Sequence, residues 1–263
     1  MATAAKGLTF WDHLDELRAV IVKVALVAVF FSVVASCFKD ELFAVILAPT
    51  HTGFVTYGLL DRLGGGFMFP DGGGEATRLI NTELAQQFLI HMKVAFCAGI
   101  ICASPYILFQ LFRFVSPALY ADERRHLLRV AVPGYFMFLL GVLLSYFLIF
   151  PLTYRFLGSY QVSGSVENMI SLESYISTLA MLSLWMGVMF ELPILCWLFA
   201  RLGVLTPGFM RARRKHAVVV ILILAAIITP TSDIFTLLVV SLPVYLLYEA
   251  SIHVVKHASK PRP

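Results

Sequence analysis

The sequence predicts an all-α integral membrane protein of six transmembrane helices, with both termini cytoplasmic and helices five and six short. Three observations carry that expectation. Of 263 residues, 59% are hydrophobic and only 14% are charged, where a soluble domain carries about 25% charged residues to face water. The mean hydropathy is +0.85. The apolar residues gather into continuous segments of bilayer length, and Lys and Arg fall unevenly between alternate loops.

A bilayer core of about 30 Å takes roughly 20 apolar residues as helix. Inside it every backbone N–H and C=O must be paired within the segment, which makes helix the default. The chain reads as a single polytopic membrane domain, 1–263, with spans near 20–38, 84–112, 127–150, 172–200, 216–229 and 234–252. The N-terminal segment carries Asp12, Asp15 and Glu16 and lacks a short apolar core directly after a basic start, so it does not read as a cleavable signal. The long loop over 39–83 opens on ELFAVILAP and continues through the triple glycines 64–66 and 72–74. That pattern reads as a short helix followed by a mobile flap.

The second span holds Lys93, expected to snorkel to the outer interface, and Pro105. Pro193 should kink the fourth span and free a carbonyl one turn back. Pro230 closes the fifth apolar run, and Glu249 follows the sixth, 234–248. Each of these runs is only about 20 Å long at 1.5 Å per residue, and a locally thinned membrane is expected beside them. Asp233 stands where it can cap the sixth helix.

Charge sets the orientation. Lys6 and Arg18 precede span one; Arg113, Arg124, Arg125 and Arg129 follow span two; Arg201, Arg211, Arg213, Arg214 and Lys215 follow span four; Lys256, Lys260 and Arg262 follow span six. The opposite loops hold only Lys39, Arg62, Arg78 and Arg155. The basic loops and both termini are therefore placed in the cytoplasm. A net charge of +4 implies no nucleic-acid partner. Cys37, Cys97, Cys102 and Cys196 all lie in apolar stretches and read as small hydrophobes.

Enzyme signatures are missing: no HExxH, GxSxG or P-loop, and no paired carboxylates on one helix. No catalytic residue, metal ligand or cofactor is expected. Three acids stand out instead. Glu16, in HLDELR, heads the first span, where the helix dipole alone would favour a carboxylate. Glu123 lies among arginines in FVSPALYADERRH, where a local surface ion pair would also explain it. Glu191, in MFELPILCWLFARLG, sits ten residues before Arg201, about 15 Å into the membrane on a regular helix. An ionisable group there is costly and a functional candidate, although a structural hydrogen bond to a neighbouring helix would also account for it.

Taken together, HLDELR, FVSPALYADERR, FELP, LGVLTPGFMRARRKHAVV, TPTSD and LPVYLLYEASI resemble, in order and spacing, the TatC family, the signal-receptor subunit of the twin-arginine protein translocase. The resemblance spans nearly the whole chain. It implies six helices with cytoplasmic termini in a bacterial-type cytoplasmic (inner) membrane, and recognition of twin-arginine signal peptides of folded cargo. It also implies assembly with single-span TatA/TatB-type subunits in a multimeric receptor complex, and transport driven by the proton-motive force. By position, Glu123 matches the acid that binds the twin arginines and Glu16 the second acid of that surface. Phe114 and Pro117 match loop positions that shape the site, with Arg18 beside them. Glu191 matches the polar intramembrane residue, which would meet a signal hairpin or a partner, and Pro49 the outer-loop proline. Arginine's planar fork fits carboxylates, often bidentately, in a way lysine does not reproduce. The chain departs from the family pattern in its glycine-rich outer-loop insertion and in TPTSD, one residue longer than TPPD, so Asp233 is left out of the site.

Two other classes compete. A secondary transporter would use Glu191 as a proton or substrate site, and an intramembrane hydrolase would need a second catalytic group beside it. The missing internal repeat and the short helices argue against both.

Overall fold

The computed structural model describes residues 10–51, 53–62, 79–115, 127–160, 163, 168–229 and 233–258. Nearly all of them are helical. α1 is described from Phe10 and runs to Ser36. The outer segment folds as α2 (Lys39–Leu47), a 3₁₀ turn over Ala48–Thr50 and α3 (Val55–Arg62). The triple-glycine runs lie outside the described residues. α4 is one continuous helix, Gln86–Val115, carrying Pro105 within it.

α5 (Leu127–Leu144) passes through a π-helical turn at Ser145–Ile149 directly into α6 (Phe150–Ser159). The third helical stretch therefore continues well past Phe150, where the apolar run suggested an end. The fourth is broken: α7 (Leu172–Met189) stops before Phe190 and Glu191, and α8 (Leu192–Arg201) resumes with Pro193 in its first turn. Proline has no N–H to offer the carbonyl four residues back, so the helix restarts there. Gly203, at φ 73°, closes α8 in the left-handed conformation that glycine adopts without strain.

α9 (Pro207–Ala212) is capped by the Thr206 hydroxyl, which accepts from Phe209 N at 3.3 Å. α10 (Arg214–Ile228) and α11 (Ile234–Ala258) complete the bundle. Asp233 does cap α11, its Oδ1 accepting from Thr236 N at 2.7 Å.

Among the described residues five stretches are long and apolar enough to cross a bilayer: Leu14–Ser36, Gln86–Phe114, Ala131–Ser159, Leu172–Arg201 and Ile234–Ala258. Only one of the two helices expected to be short is so. α10 has 15 residues, about 22 Å at 1.5 Å per residue. α11 has 25 residues and does not end at Glu249. That carboxylate is met by Arg214 at 2.7 Å and by the Tyr245 hydroxyl at 3.2 Å, so the helix carries it without exposing a lone charge. Thinning beside both helices thus reduces to thinning beside α10.

The largest core lies among the first half of α4, the π turn, α6, α7, α10 and α11, around Ile90, Ile149, Phe150, Ile176, Leu182, Met186, Ile228 and Val240. α1 stands at the edge and packs on α4 along a seam where Gly99 faces Ser32. Two-residue strands β1 (Leu79–Ile80) and β2 (Ile170–Ser171) pair in parallel, Leu79 opposite Ile170. They fix the starts of α4 and α7 at one end of the bundle. The ends of α4 and α8, and the starts of α1, α5 and α10, therefore gather at the other end.

Two tyrosines join the outer segment to the bundle: the hydroxyl of Tyr146 donates to Val45 O at 2.6 Å and that of Tyr175 to Ile46 O at 2.8 Å. A third, Tyr57, braces the outer segment within itself, donating to Pro49 O at 2.9 Å. Thr56 Oγ1 donates to the Phe147 carbonyl in the π turn. Burial pushes the Tyr57 phenol up to about 12, helped by neighbouring Tyr154 and opposed by the Arg155 cation. It stays a donor across the physiological range.

Candidate functional site

The basic loops meet at the end of the bundle that holds the start of α1. Arg18 on α1, Arg113 on α4, and Arg211, Arg213, Arg214 and Lys215 across α9 and α10 are all exposed there. Within this basic rim Glu16 is the candidate acid on the described chain. It lies within α1, described from Phe10, and not at a helix terminus, so a dipole at the N-terminus does not explain it; its side chain is half-buried.

The α1–α4 seam brings Glu16 level with Phe114. The chain reverses through α2, whose Phe43 ring lies 6.2 Å from His91 near the start of α4, so the two long helices run antiparallel. From the Ser32–Gly99 contact, Glu16 lies sixteen residues back and Phe114 fifteen residues on, about 24 Å and 22 Å at 1.5 Å per residue. Phe114 is half-buried and Phe112, one position inside Arg113, is buried. Pro117 and Glu123 lie outside the described residues.

Glu191 occupies the break between α7 and α8. It is 6% exposed, and neither carboxylate oxygen has a hydrogen-bond partner. The structural hydrogen bond considered above is therefore not made. A buried, unsatisfied carboxyl costs about 1–3 kcal/mol or more relative to one that is bonded. The space for it comes from Gly134 on α5: a Cβ there would stand 3.3 Å from Oε2, 3.5 Å from Oε1 and 3.2 Å from Cε2 of Phe112. Glu191 thus sits beside the residue that carries the rim into the bundle. Gly134 lies seven residues into α5 as described from Leu127, about 10 Å along the helix.

Glu16, Arg18, Phe114 and Glu191 therefore share one end of the molecule. Pro49 does not. It is buried at the opposite end, where its carbonyl receives the Tyr57 hydroxyl, so its place is in the outer clamp. Lys93 is paired sideways as well as half-exposed: Nζ donates to Ser177 Oγ at 2.9 Å and stands 3.5 Å from Glu173 Oε1, whose other oxygen accepts from Gln86 at 3.3 Å. Gly134 and the tyrosine clamp escaped the sequence reading. A glycine facing a carboxyl across two helices leaves no local signature, and tyrosines near span ends read as interfacial anchors. Among the described residues no cluster of three His, Cys, Asp or Glu could hold a metal ion.

The family described as Sec-independent protein translocase protein (TatC) matches residues 12–243. A Sec-independent protein translocase protein TatC from Blattabacterium sp. subsp. Periplaneta americana is 31% identical over 99% of both chains. The TatC protein of Deinococcus radiodurans is 35% identical over 92% of this chain and 83% of its own. A crystal structure of the twin arginine translocase receptor TatC superposes with a TM-score of 0.76 at 30% identity, covering 94% of this chain and 100% of that one.

Proposed function

Because the chain belongs to the TatC family of Sec-independent protein translocase proteins, we propose that it is the receptor for twin-arginine signal peptides in a translocase that exports folded proteins. On this reading it spans the cytoplasmic membrane six times with both termini inside. It works beside single-span TatA/TatB-type partners in a multimeric complex and draws on the proton-motive force. It catalyses no reaction of its own.

The observation that supports the reading most is the level of Glu16 with Phe114 at the basic end, in a chain that aligns over nearly its full length with a solved receptor. A surface rich in Arg and Lys repels cationic peptides unless a carboxylate is set into it. Two such acids, Glu16 and Glu123, would select two adjacent guanidinium forks by charge-assisted bonds of about 1.5–3 kcal/mol each. The surrounding cations would turn away peptides with scattered positive charge. Glu191, one helix inward, would meet a polar group of the inserted signal or of a partner's span, where a hydrogen bond in lipid is worth about 0.6–2 kcal/mol.

Photo-crosslinking of an Arg-Arg signal peptide to the loop after α4, in membranes, tests the assignment. Glu123→Ala should abolish the crosslink, and Glu123→Gln should nearly do so. Full crosslinking by Glu123→Ala at normal expression would place recognition elsewhere.

A further inference from the structure

The short helix α9 has one buried side and one bare side. Met210 is buried in a small core with Ala200 of α8 and with Ile252, Val255 and Ala258 of α11. The Tyr248 hydroxyl donates to Met210 O at 2.8 Å, and the Thr206 cap holds the first turn. α9 is thus fixed against the ends of α8 and α11, with only Arg213 between it and the start of α10.

The bare side is apolar and cationic together. Phe209 is 57% exposed and Val204 71%. Arg213 lies over the Phe209 ring at 5.7 Å, and Arg211 and Lys215 are exposed on either side of it in the chain. From Leu202 to His216 the chain carries no acid. Glu249, the one acid of α11, is held by Arg214 at 2.7 Å, and α8 carries none. Arg211, Arg213 and Lys215 form no ion pair among the described residues.

A phenylalanine and a valine left in water forfeit the gain of burial, and three cations left unmatched repel one another. An acidic peptide would answer the cations and leave the apolar pair in water. A bilayer surface answers both, with its acyl boundary for the apolar side chains and its phosphates for the cations. The level fits: the membrane-length stretch Leu172–Arg201 ends here, and α10 begins here.

We propose that this face docks on the anionic lipid surface at the basic end of the bundle. Phe209 and Val204 enter the head-group layer, and lipid phosphates pair with Arg211, Arg213 and Lys215, the two guanidinium forks taking phosphate oxygens bidentately. The docked face holds the start of the short helix α10 at the level of the head groups. The inference is independent of the receptor reading, and its test uses no signal peptide.

The full chain, with p-benzoylphenylalanine in place of Phe209, is reconstituted in vesicles of three parts phosphatidylcholine to one part phosphatidylglycerol. Photo-captured lipid is identified by mass spectrometry. A reference probe in place of Phe88, exposed near the start of α4 at the opposite end, should capture the two lipids in bulk proportion. The probe at 209 should enrich phosphatidylglycerol by about fivefold or more, since each cation near an anionic surface is worth roughly that factor. Arg211→Gln with Arg213→Gln and Lys215→Gln should return the ratio to that of the bulk. Bulk proportion at 209 would overturn the proposal, as would equal enrichment at both probes. Capture of no lipid at 209 would also overturn it, because the face would then lie in water or against protein. Should the triple variant misfold, salt decides on the unsubstituted loop: exposed charges are screened, so enrichment that molar salt leaves unchanged refutes the docking.

Discussion

Gly99→Ala is the sharpest test of how the recognition end is assembled. A Cβ at this position would fall 2.6 Å from Ser32 N and 2.7 Å from Ser32 Cα, with Ser32 Oγ nearer still. Carbon contacts are most favourable at about 3.5–4.0 Å, so the overlap approaches 1 Å and lies mostly against backbone. No rotamer change relieves it; α1 has to move. A shift of that size forfeits about a quarter to a half of each contact's well along the seam. In lipid no hydrophobic term compensates, since packing itself holds helices together. Overpacking of about 1–3 kcal/mol against a helix-propensity gain of about 1 leaves a net loss of up to about 2 kcal/mol. Ser32→Ala added to it removes only Oγ and should restore little. Unfolding of the purified protein by denaturing detergent reads the stability, and binding of an Arg-Arg peptide reads the displacement of Glu16. Gly208→Ala, with nothing within 4 Å, is the control. Equal stability and equal peptide binding in the two variants would refute the seam as the element that positions Glu16.

Glu191→Met replaces an unsatisfied buried carboxyl with an apolar chain of similar length, so thermal stability should hold or rise by up to about 1–3 kcal/mol. Transport should fall while peptide crosslinking at the α4 loop persists; loss of both together would make Glu191 a structural residue. Tyr57 gives a pH effect. Its folded pKa is raised from 10.0 to about 12, so the stability it contributes is complete below pH 10 and is lost as pH climbs towards 12. Thermal melts between pH 9 and 11.5 should show that loss in the wild type, and Tyr57→Phe should flatten part of it. Reporter fusions after Phe112 and Ala200 should read cytoplasmic and those near Gly73 and Gly164 should read outside; an inside signal at Gly73 would break the six-span topology.

Apolar length and proline punctuation carried the helical architecture. The second and fourth helical stretches coincide with the apolar runs, α1 is already helical ten residues before the run at 20, and the break before Pro193 follows from its missing N–H. Glu249 misled because a charge was taken as the end of a span, whereas its partner Arg214 stands 35 residues earlier in the chain. α5 continues into α6 across Pro151, which is tolerated in the first turn of the following helix. At the site, Glu16 was legible as an acid heading the first span and Glu191 as an acid in an expensive place. Their relation was not, because it depends on Gly99 and Gly134, and hydropathy says nothing about which helix a small residue faces. Pro49 stands in the outer segment, where its carbonyl accepts from Tyr57, away from the basic end.

The tyrosine clamp also orders the protein's biogenesis. The carbonyl of Ile46 takes its hydroxyl donor from 129 residues downstream, and that of Val45, which already accepts from Ala48 N, takes a second donor from 101 residues downstream. While the ribosome is still making α4, neither tyrosine exists. Tyr57 can close on Pro49 within the segment, Tyr146 and Phe147 engage once the third stretch is made, and the Tyr175 bond comes last, with the fourth. The clamp therefore closes in stages that follow the order of synthesis.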